Sequence, residues 1–188
     1  MTNLEKFRPT SALVSGWTLI AFLTGFIIET GIYGGNLLAV SATCATGILS
    51  SYLLFIKPYV FIFDEGIKII NPTKNITASW DLVEEIETKF SMSVLIRGQV
   101  FYAWAAPAPG RSHSRRMHKS DFGPGLHVNA RRLADSPGSD SGVCAYIARL
   151  RLKAFVPNGD STFTVERSYL YVYAIIGCAV ISVLSFIL

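Results

Sequence analysis

NLLAVSATCATGILSSYLLFI, residues 36–56, runs for twenty-one residues without a charge. The hydrocarbon core of a bilayer is about 30 Å thick, and a helix needs roughly 20 apolar residues to cross it. The stretch therefore reads as a membrane span, and that reading organises the rest of the chain. Toward the N-terminus, Ala12–Ile28 holds seventeen uncharged residues. Lys6 and Arg8 precede it, as they would a secretory signal peptide, but the apolar run is long for a signal's core. A second apolar run also follows after only seven residues, so the pair reads as a helical hairpin turning in the Gly-rich ETGIYGG, residues 29–35. Toward the C-terminus, Tyr169–Leu188 is again free of charge and is expected to be a third span.

Composition agrees with this. Of 188 residues, 51% are hydrophobic and only 16% charged, and such a balance points to membrane segments rather than a soluble domain. The three cysteines, Cys44, Cys144 and Cys178, are too widely spaced for a metal motif or a disulfide frame. Orientation follows from the positive residues. Lys6 and Arg8 lie before the first span, none lies in the hairpin turn, and the other fifteen of the seventeen fall between Lys57 and Ser168. Positive-inside bias then places the N-terminus (1–11) and the middle segment in the cytoplasm, and the C-terminus outside a plasma membrane. Glu29 reads as a solvated turn residue at the outer rim.

The middle segment is the one part able to form a globular domain. Over 57–106 it reads as short strands: Tyr59–Phe63, Ile67–Ile70, Ile76–Trp80, a passage through Asp81–Ile86, then Ser93–Ile96 and Val100–Trp104. Asp64-Glu65-Gly66, Asn71-Pro72 and Arg97-Gly98-Gln99 are turn signals between them. Strands this short and this closely spaced argue an antiparallel meander bent into a small barrel. Residues 107–138 read as a basic loop and 139–156 as an amphipathic helix. Ser139-Asp140-Ser141 offers an N-cap, and Val143, Ile147, Leu150 and Ala154 fall on one face at helical spacing, the expected buried face.

This order resembles a pleckstrin-homology-like (PH-like) domain of the short bacterial kind found in small actinobacterial membrane proteins. The resemblance rests on FIFDEGIKIINP, on ASWDLVEEIE with Trp80 ahead of Val83, Glu84, Glu85 and Ile86, and on VFYAWAAPAPGR. It implies an α+β fold class: three transmembrane helices with a cytoplasmic PH-like antiparallel half-barrel and one amphipathic helix. Trp80, Val83, Ile86 and Trp104 are expected in the domain core. Phosphoinositide-binding members of the wider family carry clustered Lys and Arg at the first hairpin turn. Here that turn is Asp64-Glu65-Gly66 with Lys68 the one close cation, which disfavours an inositol phosphate there.

Between Arg97 and Arg132 stand seven basic residues and one acid, Asp121, amid prolines and glycines. Arg111, Arg115, Arg116 and Lys119 are expected to touch the membrane surface, each cation near anionic lipid contributing about 1 kcal/mol. A nucleic-acid arm would interleave aromatic rings, and Phe122 is the one available; no nucleic acid is expected. His113, His118 and His127 lack the companions of a metal site. The usual hydrolase, metalloprotease and nucleotide-binding motifs are missing, so neither an enzyme nor a cofactor is expected. The expected partners are the lipid bilayer, anionic lipid head groups and a protein bound by the middle domain. The alternative reading is an accessory subunit of a transport or secretion complex whose spans carry the interaction.

Overall fold

The computed structural model describes residues 3–108, 139–157 and 161–187. In chain order its elements begin with β1 (Glu5–Phe7), α1 (Thr10–Tyr33) and α2 (Leu37–Ser51), the last running on through a π turn at Tyr52–Ile56. Then come β2 (Tyr59–Phe63), β3 (Gly66–Ile70), β4 (Lys74–Ser79), a 3-10 turn (Trp80–Leu82), β5 (Val83–Glu87), β6 (Ser91–Ile96) and β7 (Gln99–Pro107). The chain closes with α3 (Asp140–Ala154), β8 (Phe163–Arg167) and α4 (Leu170–Ile187). These fall into two compact units. One is helical, Thr10–Pro58 with Arg167–Leu188; the other is Met1–Pro9 with Tyr59–Glu166.

In the helical unit, α1, α2 with its π turn, and α4 are each long and apolar enough to cross a membrane. α1 continues five residues past the expected Ile28, which shrinks the turn to Gly34, Gly35 and Asn36. Gly34 (φ 84°) and Gly35 (φ 143°) take backbone angles that a Cβ would resist. Asn36 then caps α2, its Oδ1 accepting from Ala39 N at 3.0 Å while its Nδ2 donates to Ser185 O at 2.7 Å. Close approach of α1 to the second helix depends on small residues. A Cβ on Gly16 would lie 3.0 Å from Ile56 Cγ1, and one on Gly47 would lie 2.7 Å from Leu23 Cδ1. Polar side chains are matched within the bundle: Ser51 Oγ donates to Gly16 O, and the Thr43 and Ser182 hydroxyls share a bond.

The β unit is built from two antiparallel sheets, in the orders β1-β2-β3-β4-β8 and β5-β6-β7. Alternate residues of these strands (Val60, Ile62, Ile67, Ile69, Ile76, Val94 and Ile96 among them) meet in one core. Two turns are dictated locally. Arg97 (φ 49°) and Gly98 (φ 73°) make the two-residue β6–β7 hairpin in the left-handed conformation such loops need. At Gly66 an added Cβ would stand 2.3 Å from Ala78 O, so β3 and β4 can approach there only without a side chain.

α3 lies across this core, capped as expected by Ser139 Oγ accepting from Gly142 N at 3.0 Å. The expected buried face is corrected, however. Leu150 and Ala154 are exposed, and the buried residues are Ser141, Gly142, Cys144, Ala145 and Ala148. Small residues let the helix backbone sit close on the sheets, which large ones at the periodic positions would prevent. Arg149 anchors the contact by donating from Nε (3.2 Å) and Nη2 (2.7 Å) to Ile86 O.

Two strands lie outside the middle segment as read from sequence. β1, from the expected N-terminal tail, pairs Lys6 with Phe61 on β2. β8 comes from the stretch between the amphipathic helix and the last span. Both are sheet edges, so a piece cut at 57–156 would lack them.

Candidate functional site

Four aromatic or branched residues expected at the core separate into two groups. Trp80 is 1% exposed; its Nε1 donates to Phe63 O at 2.9 Å, and its ring lies in the core with Val83 and Ile86. Trp104 does otherwise. Its side chain is 55% exposed, a correction with a simple cause: along β7 the inward residues are Phe101, Ala103 and Ala105. A strand alternates faces, so Val100, Tyr102 and Trp104 project together from the outer face. Leu95, opposite Val100 on β6, is half-buried, and Ser93 stands opposite Tyr102.

The place of this stripe in the unit is set by Asn71. Its backbone N donates to Lys74 O at 3.0 Å, closing the β3–β4 turn. Its side chain reaches β7, Nδ2 donating to Tyr102 O at 2.7 Å and Oδ1 accepting from Trp104 N at 2.9 Å. One carboxamide thus occupies two outward backbone groups of an edge strand, as a neighbouring strand would. Asn71 is itself buried, and the turn and the aromatic stripe are held together.

That turn lies at a particular end of the larger sheet. Phe7 pairs with Val60 and Tyr59 with Ile70, so β1 ends, β2 begins and β3 ends in one row. Ile70 pairs in turn with Asn75 near the start of β4. Thr162, the residue leading into β8, bonds Ser79 at the far end of β4, so β8 runs back alongside β4 and finishes level with its start. All three passages between the units, after Pro9, before Tyr59 and near Arg167, therefore leave the β unit at the end where Asn71 holds Tyr102 and Trp104.

Cations gather at this end. Lys6 Nζ lies 4.7 Å from the centroid of the Tyr59 ring, and Lys74 Nζ lies 5.5 Å from that of Phe101. Arg8 keeps Nε and Nη2 out of water with no hydrogen-bond partner among the described residues. The opposite end is ion-paired: Arg151 binds Glu5 at 2.7 Å and also Asp64 in the β2–β3 turn. The two acids raise the Arg151 pKa further, the bond to Glu5 contributing most. The acidic turn that disfavours a phosphate ligand thus serves as a tether for α3 and β1.

The carboxylates and thiol nearby have structural uses. Glu84 Oε1 accepts from Gly98 N at 2.9 Å, bracing the hairpin. Burial, then the Asp140 charge, pushes the Cys144 thiol up to about 12, which leaves it neutral and unreactive. Among the described residues no three His, Cys, Asp or Glu side chains converge as metal ligands do. The basic residues proposed from sequence, Arg111, Arg115, Arg116 and Lys119, lie outside the described residues, as do His113, His118 and His127. No family model matches the chain, and neither a curated protein nor a solved structure does.

Proposed function

We propose that this is a three-span protein of the plasma membrane that presents its β unit in the cytoplasm as a non-catalytic binding module. The observation that carries the reading is the threading of the chain: a folded β unit is strung between three helices of spanning length. A domain entered from one span and left through another gains nothing in reach and stays at one membrane surface. The side is argued from Lys6, Arg8, Lys57 and Arg167, which flank the inner ends of the spans. The PH-like reading of the unit is supported by two antiparallel sheets around one core with α3 laid across it. Its ligand is a protein, with the basic residues from Arg111 to Lys119 in contact with anionic head groups.

Topology is the first test. An alkaline-phosphatase reporter after Leu188 is active outside the cell, and one inserted at Gly123 is inactive, whereas a fluorescent reporter at Gly123 matures inside. Phosphatase activity from the Gly123 insertion overturns the reading. Co-purification in mild detergent, with the β unit present or replaced, then separates a partner held by that unit from one held by the spans.

A further inference from the structure

The strands of the β unit sort their charges by sheet. In β1 to β4 stand Lys6, Lys68 and Lys74, with Glu5 the one acid, and Glu5 is held by Arg151. β8 adds Glu166 and Arg167, one of each sign. In β5 to β7 stand Glu84, Glu85 and Glu87 and no cation. Alternation then decides where the lysines of the larger sheet point. Core residues of β2, β3 and β4 flank Phe61, Lys68 and Thr77, which therefore face away from the core, as Lys6 does beside the inward Phe7. α3 packs on the core side of the sheet.

The ladder registers place these four residues in one row across four strands. Lys6 pairs with Phe61, Phe61 with Lys68, and Lys68 with Thr77. Neighbouring strands lie about 4.8 Å apart, so the two lysines stand about 10 Å apart with a ring between them. Lys6 Nζ lies 5.7 Å from the centroid of the Phe61 ring and 4.7 Å from that of Tyr59. Phe61 and Lys68 are half-buried, and neither lysine has a carboxylate partner among the described residues.

We infer that this row is the docking surface for an acidic helix of the protein partner, laid across the strands with a carboxylate at each lysine and an apolar side chain against Phe61. The inference rests on the reading of the β unit as a protein-binding module and names the chemistry of its partner. Charge complementarity and spacing choose the occupant. Side chains at i and i+7 of a helix recur about 10 Å apart on one face, with i+3 between them, and so match lysine, ring and lysine. Single-stranded nucleic acid needs open ring faces on which to stack its bases, and Lys6 already lies over both rings. A compact polyanion needs cations converging on one group, whereas these two are held a ring apart.

The probe is a fluorescent helical peptide with Glu at the first position of each heptad and Leu at the fourth, and its control carries Gln for Glu. Binding is read by anisotropy on the full chain in phosphatidylcholine nanodiscs, with Trp80 emission confirming the fold of each variant. The Glu peptide is expected to bind and the Gln peptide not. Lys68→Glu is expected to weaken binding about tenfold, since an attraction becomes a repulsion, and Lys68→Ala by a few-fold. Lys68→Arg keeps binding, and so does Lys89→Glu, in the β5–β6 turn. Equal affinity of the parent protein and Lys68→Glu overturns the row, even where changing Arg111, Arg115, Arg116 and Lys119 to Ser removes binding. Flotation with phosphatidylserine vesicles that Lys68→Glu abolishes, without any binding of the peptide, assigns the row to lipid and overturns it too. The same variant in the co-purification above separates this inference from the reading beneath it. A partner that stays with Lys68→Glu but leaves when the β unit is replaced overturns the row alone. One that stays when the β unit is replaced overturns the binding module itself.

Discussion

The carboxamide of Asn71 is engaged at both ends, its Nδ2 donating to Tyr102 O and its Oδ1 accepting from Trp104 N. Replacing it with Ala removes both of these part-buried bonds at once. An unpaired buried donor or acceptor costs about 1–3 kcal/mol, so Asn71→Ala is expected to lower the stability of the β unit by that order. The check is the urea midpoint of the full chain in detergent, read from Trp80 in a Trp17→Phe, Trp104→Phe background. An unchanged midpoint would mean that the β3–β4 turn and β7 are joined by something other than this side chain. Asn71 and Trp104 also mark the limit of residue-level reading. Asn71-Pro72 is a turn signal in the sequence, but nothing there announces that the amide reaches thirty residues onward. The VFYAW run has apolar or aromatic residues at every position, so either face of the strand is an acceptable inside. Only pairing with β6, in the register Val94 to Phe101, makes Trp104 an outer residue.

Among the elements, α3 departs most from its sequence pattern. Helical periodicity picks out Val143, Ile147, Leu150 and Ala154, and of these Ile147 packs against the core while Leu150 is 49% exposed. The face that meets the sheets is Gly142, Cys144, Ala145 and Ala148, because the gap admits a backbone at close range but no long side chain. Two substitutions separate the faces. Ala148→Leu forces three more carbon atoms into a filled core and is expected to cost about 1–3 kcal/mol. Leu150→Ala, at an exposed site, is expected to change stability by no more than about 0.5 kcal/mol. Both are read as urea midpoints as above, and equal losses would show that Leu150 is buried after all. The edge strands β1 and β8 were beyond the reach of pattern for another reason. β1 is only Glu-Lys-Phe, too short to show alternation, and β8 (Phe163–Arg167) has no neighbouring strand in sequence to pair with. Each is a strand because an exposed edge, of β2 or β4, offers unpaired backbone groups to it.

At the scale of the whole molecule, the proposed function ties the β unit to a lipid surface through its basic residues. The proposed contact of Arg111, Arg115, Arg116 and Lys119 with anionic lipid is electrostatic, so salt should remove it as the screening length shortens from about 8 Å at physiological ionic strength toward 3 Å at 1 M. Trypsin gives a direct reading, since each of the four residues is a cleavage site. Cutting there is expected to be slower in nanodiscs containing phosphatidylserine than in neutral ones, with the difference gone at high salt. Equal rates in the two lipids would remove the basic residues from the membrane account.

The three helices long and apolar enough to cross a membrane were legible from the chain alone, because a membrane imposes one dominant requirement, length without charge, and that requirement is local. So were the meander and its turns, since alternation and positive-φ glycines act over a few residues. The same holds for the burial of Trp80, a bulky apolar ring at a strand end. What only the tertiary structure decided was every choice between two locally equal options: which face of β7 turns inward, which face of α3 meets the core, and where β1 and β8 pair. Those choices are settled by the space left between elements and by the backbone groups still unpaired, quantities that exist only once distant parts of the chain have come together.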